Sequence, residues 1–555
     1  MEEILLNKPG KKIILLGNEA IVRGALESGV NFVSSYPGTP ASDIGNWFFY
    51  LREKIPVYFE WSTNEKVALE AAIGAAFSGL KSMAAMKNFG LNVCIEALVP
   101  AMYTGLQSTR RPLTKGGPFK GALVLVVADD VGCWSSAQSE QNSRAYSYLA
   151  HIPTLEPSDP QECKDFTKLA FQISERFRTP VLIRPTTRVT HQRAPVKLGK
   201  LKLALKRGKF EKDPDRFVTM LPRLFEMKRE LLEKVEKIKK VSENSPINFV
   251  VPCPSPVIGQ LGIITSGIPY LHILEALNEL RLKLPILKLG FFYPLPEEKI
   301  KEFIKKLKKV LIVEELEPYL EKEVERLAKN VNPKLKIFGK NLIPEVGELK
   351  PEMVIFAMAK IQNSKFKIQN YNSKFKIKIP KRFPRLCSGC PYWLVLSAIE
   401  KAVNKKEVIF GGDIGCYMLF GRPPLDFQDY LFCMGSSIGI AHGIKKATKQ
   451  KLITFIGDST FFHAGIPALI NAVFNKSNPL IIILNNQTTA MTGHQPYPGK
   501  VIKIEDIVSA CGVKNLKVID QGNQEEFVKA VKEFLEKDEV SVIVAQRPCI
   551  FVAKK

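Results

Sequence analysis

The chain has 555 residues, 45% of them hydrophobic, and 80 Lys and Arg against 55 Asp and Glu give a net charge of +25. That length bounds roughly three to four domains at about 150 residues each, with enough apolar residues for packed cores. A basic excess permits a nucleic-acid or anionic-membrane partner. Here, however, lysines interleave with glutamates along helix faces, as in Glu226–Lys240 (EMKRELLEKVEKIKK). That is the pattern of solvated surface with i, i+4 pairing, so neither nucleic acid nor membrane is expected. No apolar segment reaches membrane-spanning length, and the start (MEEILLNKPGKK) is no signal peptide. The ten cysteines are scattered, with Cys387 and Cys390 as the one short-spaced pair. A disulfide framework is excluded and a reducing cytoplasm is expected.

From Lys11 to His191, strands and helices alternate. Ile13–Leu16 reads as a strand feeding a helix through Gly29. Asn31–Ser35 is a second strand, ending in the rigid loop Tyr36-Pro37-Gly38-Thr39-Pro40. An Ala/Gly-rich helix begins near Glu65 and Lys66, where the carboxylate sits at a helix N-terminus. The dipole alone would favour an acid there; a buried acid with a chemical role is the alternative. Met83–Met86 is a buried strand ended by Lys87-Asn88-Phe89-Gly90-Leu91-Asn92. Ala122–Ala128 and Val181–Arg184 are further strands. This alternation predicts a doubly wound parallel sheet.

Residues 193–247 are charged and helical, a linker without visible chemistry. A second α/β block (248–360) has strands but few polar clusters and reads as structural. Residues 361–380 hold a duplication (NSKFKI twice) that cannot bury a core, so they read as a basic linker. The last block, 381–555, opens on Cys387-Ser388-Gly389-Cys390. That pair is half a zinc site, and no second CxxC or His pair completes it in the sequence.

The stretch Thr454–Gly499 carries the sharpest signal. One apolar strand runs into Gly457-Asp458-Ser459 and a second stops at Asn485-Asn486. One crossover places both polar ends at the carboxyl edge of a sheet, where α/β folds bind ligands. A carboxylate and an amide oxygen there suit a small hard cation that keeps positions for phosphate oxygens. An ordinary buried strand–helix–strand unit explains Gly-Asp and Asn-Asn equally well. The polar loop Thr489–Gln495 just past the strand end favours a site. Upstream, Gly411-Gly412-Asp413-Ile414-Gly415-Cys416 and the small-residue helix start Cys433–Gly439 offer backbone N–H groups to a diphosphate.

The whole pattern resembles the alpha subunits of indolepyruvate:ferredoxin oxidoreductases, within the 2-oxoacid:ferredoxin oxidoreductases. The resemblance rests on YPGTP (36–40), WSTNEKVALEAAIGAA (61–76), MKNFGLN (86–92), GDIGC (412–416), CMGSSIG (433–439), IGDSTFFHAGIPALINAVFN (456–475) and TTAMTGHQPYPG (488–499). It implies multidomain α/β architecture of the thiamine diphosphate-binding fold. A pyrimidine-binding domain (1–192) would be followed by a transketolase-C-like domain (248–360) and a diphosphate-binding domain (381–555).

The same resemblance implies site residues. Glu65 would protonate the aminopyrimidine ring and Thr39 would contact the substrate carboxylate. Asp458, Asn486 and the Thr488 carbonyl would bind Mg²⁺. Asn92, Asp413, Gly415, Cys416, Gly435, Gly457, Ser459, Met491 and Thr492 would line the cofactor. The implied activity is decarboxylation of a 2-oxoacid, an arylpyruvate such as indolepyruvate, to an acyl-coenzyme A with electrons passed to ferredoxin. A smaller beta- or gamma-type subunit, a cluster-bearing subunit and an alpha dimer are the implied partners.

Two departures stand out. Relatives carry a ferredoxin-like tail with two cluster motifs, whereas this sequence ends at RPCIFVAKK, so no iron–sulfur cluster is expected on this chain. The family's CPGCPHR appears as CSGCPYW (387–393), placing Tyr392-Trp393 where His-Arg is usual. A non-oxidative thiamine diphosphate decarboxylase or carboligase is the alternative function. A basic nucleic-acid-binding protein is the remote one.

Overall fold

The computed structural model describes residues 2–106, 121–135, 138–203, 208–210, 212–252, 261–361 and 385–553. Apart from Ile361, the duplicated segment lies outside them. The chain forms two compact units, Met1–Ile377 and Lys378–Lys555.

The first unit contains, among the described residues, strands β1 (Lys12–Leu16), β2 (Phe32–Ser35), β3 (Tyr58–Trp61), β4 (Lys81–Lys87), β5 (Ala122–Ala128), β6 (Thr154–Leu155) and β7 (Val181–Ile183). They continue as β8 (Arg193–Lys197), β9 (Phe249–Val251), β10 (Leu261–Ser266), β11 (Ile286–Leu289), β12 (Phe291–Tyr293), β13 (Lys309–Val313) and β14 (Lys336–Phe338). Seven strands form one sheet in the order β12-β6-β7-β5-β4-β2-β3. All are parallel except β12, which runs antiparallel to β6.

Every residue of β5 (ALVLVVA) is buried because helices cover both faces. Val124 and Val126 pack beneath the helices Gly17–Ser28 and Pro160–Phe177. Leu123, Leu125 and Val127 face the other way, toward Glu65–Phe77 and Asn88–Thr104. The second sheet, β14-β13-β10-β11-β9, is parallel apart from β9.

Three elements depart from a simple reading in chain order. β1 does not join the parallel sheet; it pairs antiparallel with β8. The charged helix Arg223–Glu243 buries Met227, Leu231, Val235 and Ile238, and Leu231 and Val235 extend the core on the Asn88–Thr104 side. β12 leaves the middle block to close the edge of the first sheet.

A buried charge network spans these layers. Arg144 donates from Nε and Nη2 to Glu156 at 2.7 Å each, and from Nη1 to Glu314 at 2.6 Å. Arg184 bonds Asp129 at 2.7 Å and Glu156 at 3.0 Å, while the Ser266 hydroxyl donates to Glu156 at 2.6 Å. Burial alone would raise the Glu156 pKa, but the two guanidiniums and Ser266 prevail and hold it at about 2. In Glu314 burial wins, and its proton affinity is raised.

The second unit is one parallel sheet, ordered β16-β15-β17-β18-β20-β19. Its strands are β15 (Val408–Gly412), β16 (Tyr430–Leu431), β17 (Lys451–Gly457), β18 (Leu480–Asn485), β19 (Asn515–Asp520) and β20 (Ser541–Gln546). Ile482 and Leu484 of β18 join one apolar layer, and Ile481 and Ile483 the other. A doubly wound α/β architecture therefore recurs in this unit.

Removing the central guanidinium tests the network. Arg144→Met leaves two buried carboxylates short of a partner and should destabilise the first unit by about 3–5 kcal/mol in urea unfolding. Glu156 is depressed below its ordinary 4.5. Its share of stability is therefore full above that value and lost as pH falls from 4.5 toward 2, and this loss should be absent from Glu156→Gln.

Candidate active site

In the second unit three strand ends meet at one carboxyl edge. β17 and β18 pair in parallel with Gly457 opposite Leu484, so Asp458 and Asn485 begin the loops side by side. β15 lies on the other side of β17 and delivers Asp413 to the same edge.

Asp458 is the first residue of a helical turn and is 3% exposed. Its Oδ1 accepts the Ser459 N–H at 2.7 Å and its Oδ2 the Gln487 N–H at 2.9 Å. Burial pushes its pKa up to about 7 against the lowering effect of these N–H groups. Among the described residues no Lys or Arg pairs with it, so it is a hard oxygen donor lacking a countercharge. Gly457 is glycine because a Cβ there would lie 2.8 Å from Tyr417 Cε1. Ser459 occupies an ordinary helical position, so the third residue of the motif needs no glycine. Its hydroxyl accepts a hydrogen bond from Thr489 Oγ1 at 3.2 Å.

The two asparagines are used differently. Asn485 Oδ1 accepts from Gln487 N–H at 3.2 Å and the Tyr497 hydroxyl at 3.0 Å. Asn486 Oδ1 accepts only the Thr488 N–H, at 3.1 Å, among its recorded bonds, and its Nδ2 donates to the Tyr392 hydroxyl at 2.8 Å. Thr488 is 3% exposed. Beyond it, Thr489 and Gln495 bridge across a loop in which Gln495 also exchanges bonds of 2.7 and 2.8 Å with Thr492. Met491 lies exposed on that loop. A single carboxylate with amide and carbonyl oxygens on one edge fits Mg²⁺, whose remaining positions phosphate or water oxygens fill.

Asp413 is wholly buried. Its Oδ1 accepts from Ile414 and Gly435 N–H at 2.7 Å each, and its Oδ2 from Ser437 N–H at 2.9 Å. Burial raises its pKa to about 6 despite those bonds. It thereby anchors the start of the helix Ser436–Ala447. Gly435 has φ 86°, and a Cβ there would come 2.5 Å from the Ala464 Cβ, so the loop approaches the next helix without room for a side chain. At Gly415 a Cβ would strike Tyr417 Cε1 at 2.4 Å.

Cys416 belongs to a group that the sequence scatters. Cys387, Cys390, Cys416 and Cys549 line one cavity of about 110 Å³, together with Tyr392 and Asn486. Burial, with the neighbouring thiols adding to it, raises the pKa of Cys416 to about 12. For Cys390 burial again dominates and the value is about 11. A thiolate at either position needs a positive partner to displace its proton. Among the described residues no three His, Cys, Asp or Glu side chains gather around one point as a lone metal ion requires. Four thiols from separate stretches of the second unit thus border one cavity. Sequence reading paired Cys387 with Cys390 and set Cys416 at the cofactor; the structure adds that these and Cys549 border the same cavity.

In the first unit, Glu65 starts the helix Glu65–Phe77, capped by Asn64 whose side chain accepts from Val67 N–H at 2.9 Å. It is 7% exposed. Gly90 faces it: a Cβ there would lie 2.5 Å from Glu65 Cγ and 3.0 Å from Oε1. Asn92, two residues on, is held by reciprocal amide bonds to Gln141 of 2.9 and 2.7 Å. The Thr39 carbonyl accepts from Ser135 Oγ at 2.9 Å, and Lys87 Nζ donates to the Ser135 carbonyl at 3.0 Å. Burial lowers the Lys87 pKa while Asp130, 3.5 Å away, opposes that shift. Lys87 is thus a cation beside the Thr39 loop that sequence reading did not single out.

Comparison with known proteins places these features in a family. A family model for "Pyruvate flavodoxin/ferredoxin oxidoreductase, thiamine diP-bdg" matches residues 23–108. One for "Thiamine pyrophosphate enzyme, C-terminal TPP binding domain" matches 413–545. The indolepyruvate oxidoreductase subunit IorA of Methanothermobacter thermautotrophicus is 41% identical over 99% of this chain and 89% of its own length. That of Pyrococcus horikoshii is 41% identical over 98% and 87%. Among solved structures, a 2-oxoglutarate:ferredoxin oxidoreductase from Magnetococcus marinus, with 2-oxoglutarate, coenzyme A and succinyl-CoA bound, shares the fold. Its TM-score is 0.50 at 16% identity, covering 64% of this chain and 65% of that one. Near-full-length identity of this order, with both thiamine diphosphate-binding matches over the residues just described, shows that the chain belongs to the indolepyruvate oxidoreductase IorA family of thiamine diphosphate-dependent 2-oxoacid oxidoreductases.

Proposed function

We propose that the chain is the catalytic subunit of an oxidoreductase that decarboxylates an arylpyruvate such as indolepyruvate to its acyl-coenzyme A and passes the electrons to ferredoxin. The observation that carries the reading is the buried, cation-seeking Asp458 beside Asn486 at a sheet edge. The curated relatives named for indolepyruvate supply the substrate class. Within this reading residues 1–192 are the pyrimidine-binding domain, 248–360 the transketolase-C-like domain and 381–555 the diphosphate-binding domain. A smaller beta- or gamma-type subunit and a pairing of alpha subunits complete the proposed assembly, placed in the cytoplasm. No helix of the described residues is long and apolar enough to cross a membrane.

When bound, thiamine diphosphate supplies the nucleophile and electron sink for decarboxylation. The chain's own residues bind and tune it. Asp458, Asn486 and the Thr488 carbonyl hold Mg²⁺ against the diphosphate. Gly435, Gly415 and Gly457 keep that edge free of side chains, and Asp413 fixes the Gly435 loop. Ser459, Met491 and Thr492 border the same edge. Glu65, nearly dry at its helix start, holds a proton toward the pyrimidine N1′. Thr39, with Lys87 behind its loop, receives the substrate carboxylate.

The thiol cavity favours oxidative over non-oxidative chemistry. Cys387, Cys390, Cys416 and Cys549 could together hold an iron–sulfur cluster, which would supply one-electron chemistry.

Three measurements test the assignment. Product analysis should show CO₂ release that requires both coenzyme A and an electron acceptor; release indifferent to both would leave the non-oxidative reading. Glu65→Gln should retain cofactor binding yet slow C2 deuterium exchange by about 10²-fold or more; unchanged exchange would remove Glu65 from its role. Anaerobically purified protein should carry about four irons and four sulfides beyond any on partner subunits. Cys416→Ser should lose that iron and its reduced-state electron paramagnetic resonance signal; a wild-type preparation free of iron would dismiss the cluster.

A further inference from the structure

Tyr392 stands where the sequence departs from its family, and it lies against the metal site. It opens the helix Tyr392–Ala402 immediately after the CxxC segment and is 2% exposed. Its ring is fixed edge-on against Tyr417 (centroids 6.4 Å apart, planes at 73°) and Phe420 (6.0 Å, 86°). Its hydroxyl oxygen, 2.8 Å from Asn486 Nδ2, accepts that hydrogen bond.

A primary amide has two ends of opposite character. Only Oδ1 can bind a cation; an amide turned by 180° would aim two N–H donors at it. Within the turn Gln487–Thr488 the Thr488 N–H donates to the amide at 3.1 Å, and only Oδ1 can accept it. Tyr392, whose hydroxyl could pair with either end of an amide, adds a second bond that holds the side chain in the orientation Thr488 selects. Asn485 achieves nothing similar, since its own Oδ1 is already taken by Gln487 and Tyr497.

We propose that Tyr392 is a positioning residue that locks the Asn486 side chain with its oxygen toward the cation bound by Asp458. This rests on the reading of Asp458 and Asn486 as Mg²⁺ ligands. The partners that orient metal ligands commonly govern affinity by 10- to 100-fold. Tyr392 also lines the four-thiol cavity, so one rigid ring borders both sites.

The test is Mg²⁺ affinity, measured by calorimetry on full-length protein with thiamine diphosphate present, and Mn²⁺ paramagnetic resonance of the same samples. Tyr392→Phe keeps the ring and removes the oxygen. It should weaken Mg²⁺ binding by about 10- to 100-fold while the melting temperature of the cofactor-free protein changes little. Tyr392→His, whose ring nitrogen can accept the same bond, should restore most of that affinity. In an Asn486→Asp background both ends of the group are oxygens, so Tyr392→Phe should cost almost nothing there. Wild-type Mg²⁺ affinity in Tyr392→Phe would overturn the proposal, as would an equal loss in the Asn486→Asp background. Should Asp458→Ala and Asn486→Ala also bind Mg²⁺ as the wild type does, the metal-site reading itself falls. If those two weaken binding and Tyr392→Phe does not, only the role of Tyr392 falls.

Discussion

A carboxylate buried among backbone N–H groups, with no lysine or arginine paired with it among the described residues, is the constraint from which the second unit is organised. Desolvation works against the charge of Asp458 so strongly that its pKa rises to about 7. The backbone donors offset this only in part, because an N–H carries a partial charge. A divalent cation would remove the imbalance. The surrounding choices follow from keeping that place open. Gly457 yields to Tyr417, Ser459 continues a helical turn, and Tyr497 ties down Asn485 so that Asn486 is the amide left at the edge.

The neighbouring strand shows the contrasting solution. Asp413 is as deeply buried, and N–H groups from Ile414, Gly435 and Ser437 converge on it at 2.7–2.9 Å. Its pKa rises less, to about 6. The anion at this helix start is therefore the protein's own, and what it secures is geometry: the left-handed Gly435 pressed against Ala464. The two acids on adjacent strands hold different segments: Asp413 the Gly435 loop, and Asp458 the turn after β18.

Much of this was legible from local pattern. The apolar runs of β5, β17 and β18 mark strands covered on both faces, and the polar ends Gly-Asp and Asn-Asn fall at one edge because parallel crossovers force them there. What the sequence concealed is long-range. β1 reads as the first strand of a parallel sheet, but its partner is β8, in a segment that composition assigns to a charged linker. The middle block reads as poor in polar clusters. Its Glu314 and Ser266 nevertheless complete a network with Arg144, Glu156 and Arg184 that only tertiary packing assembles. The four thiols follow the same logic: spacing exposes the CxxC pair, while the other two arrive from strand ends far along the chain.

The CSGCPYW departure shows how a substitution can be misplaced when only its neighbours in sequence are known. Replacing His-Arg by Tyr392-Trp393 suggests altered substrate choice, because charge is lost near a cofactor. The structure separates the two positions. Trp393 is 42% exposed and donates from Nε1 to the Cys387 carbonyl at 3.3 Å, bracing the cysteine turn. Tyr392 turns inward and presents a single oxygen to Asn486. An acceptor is what that amide requires, and a phenol supplies one as an imidazole nitrogen would. Tyr392 thus supplies Asn486 Nδ2 with a buried acceptor. Near the Thr39 loop of the first unit, Lys87 is instead tied to the Ser135 carbonyl and to Asp130.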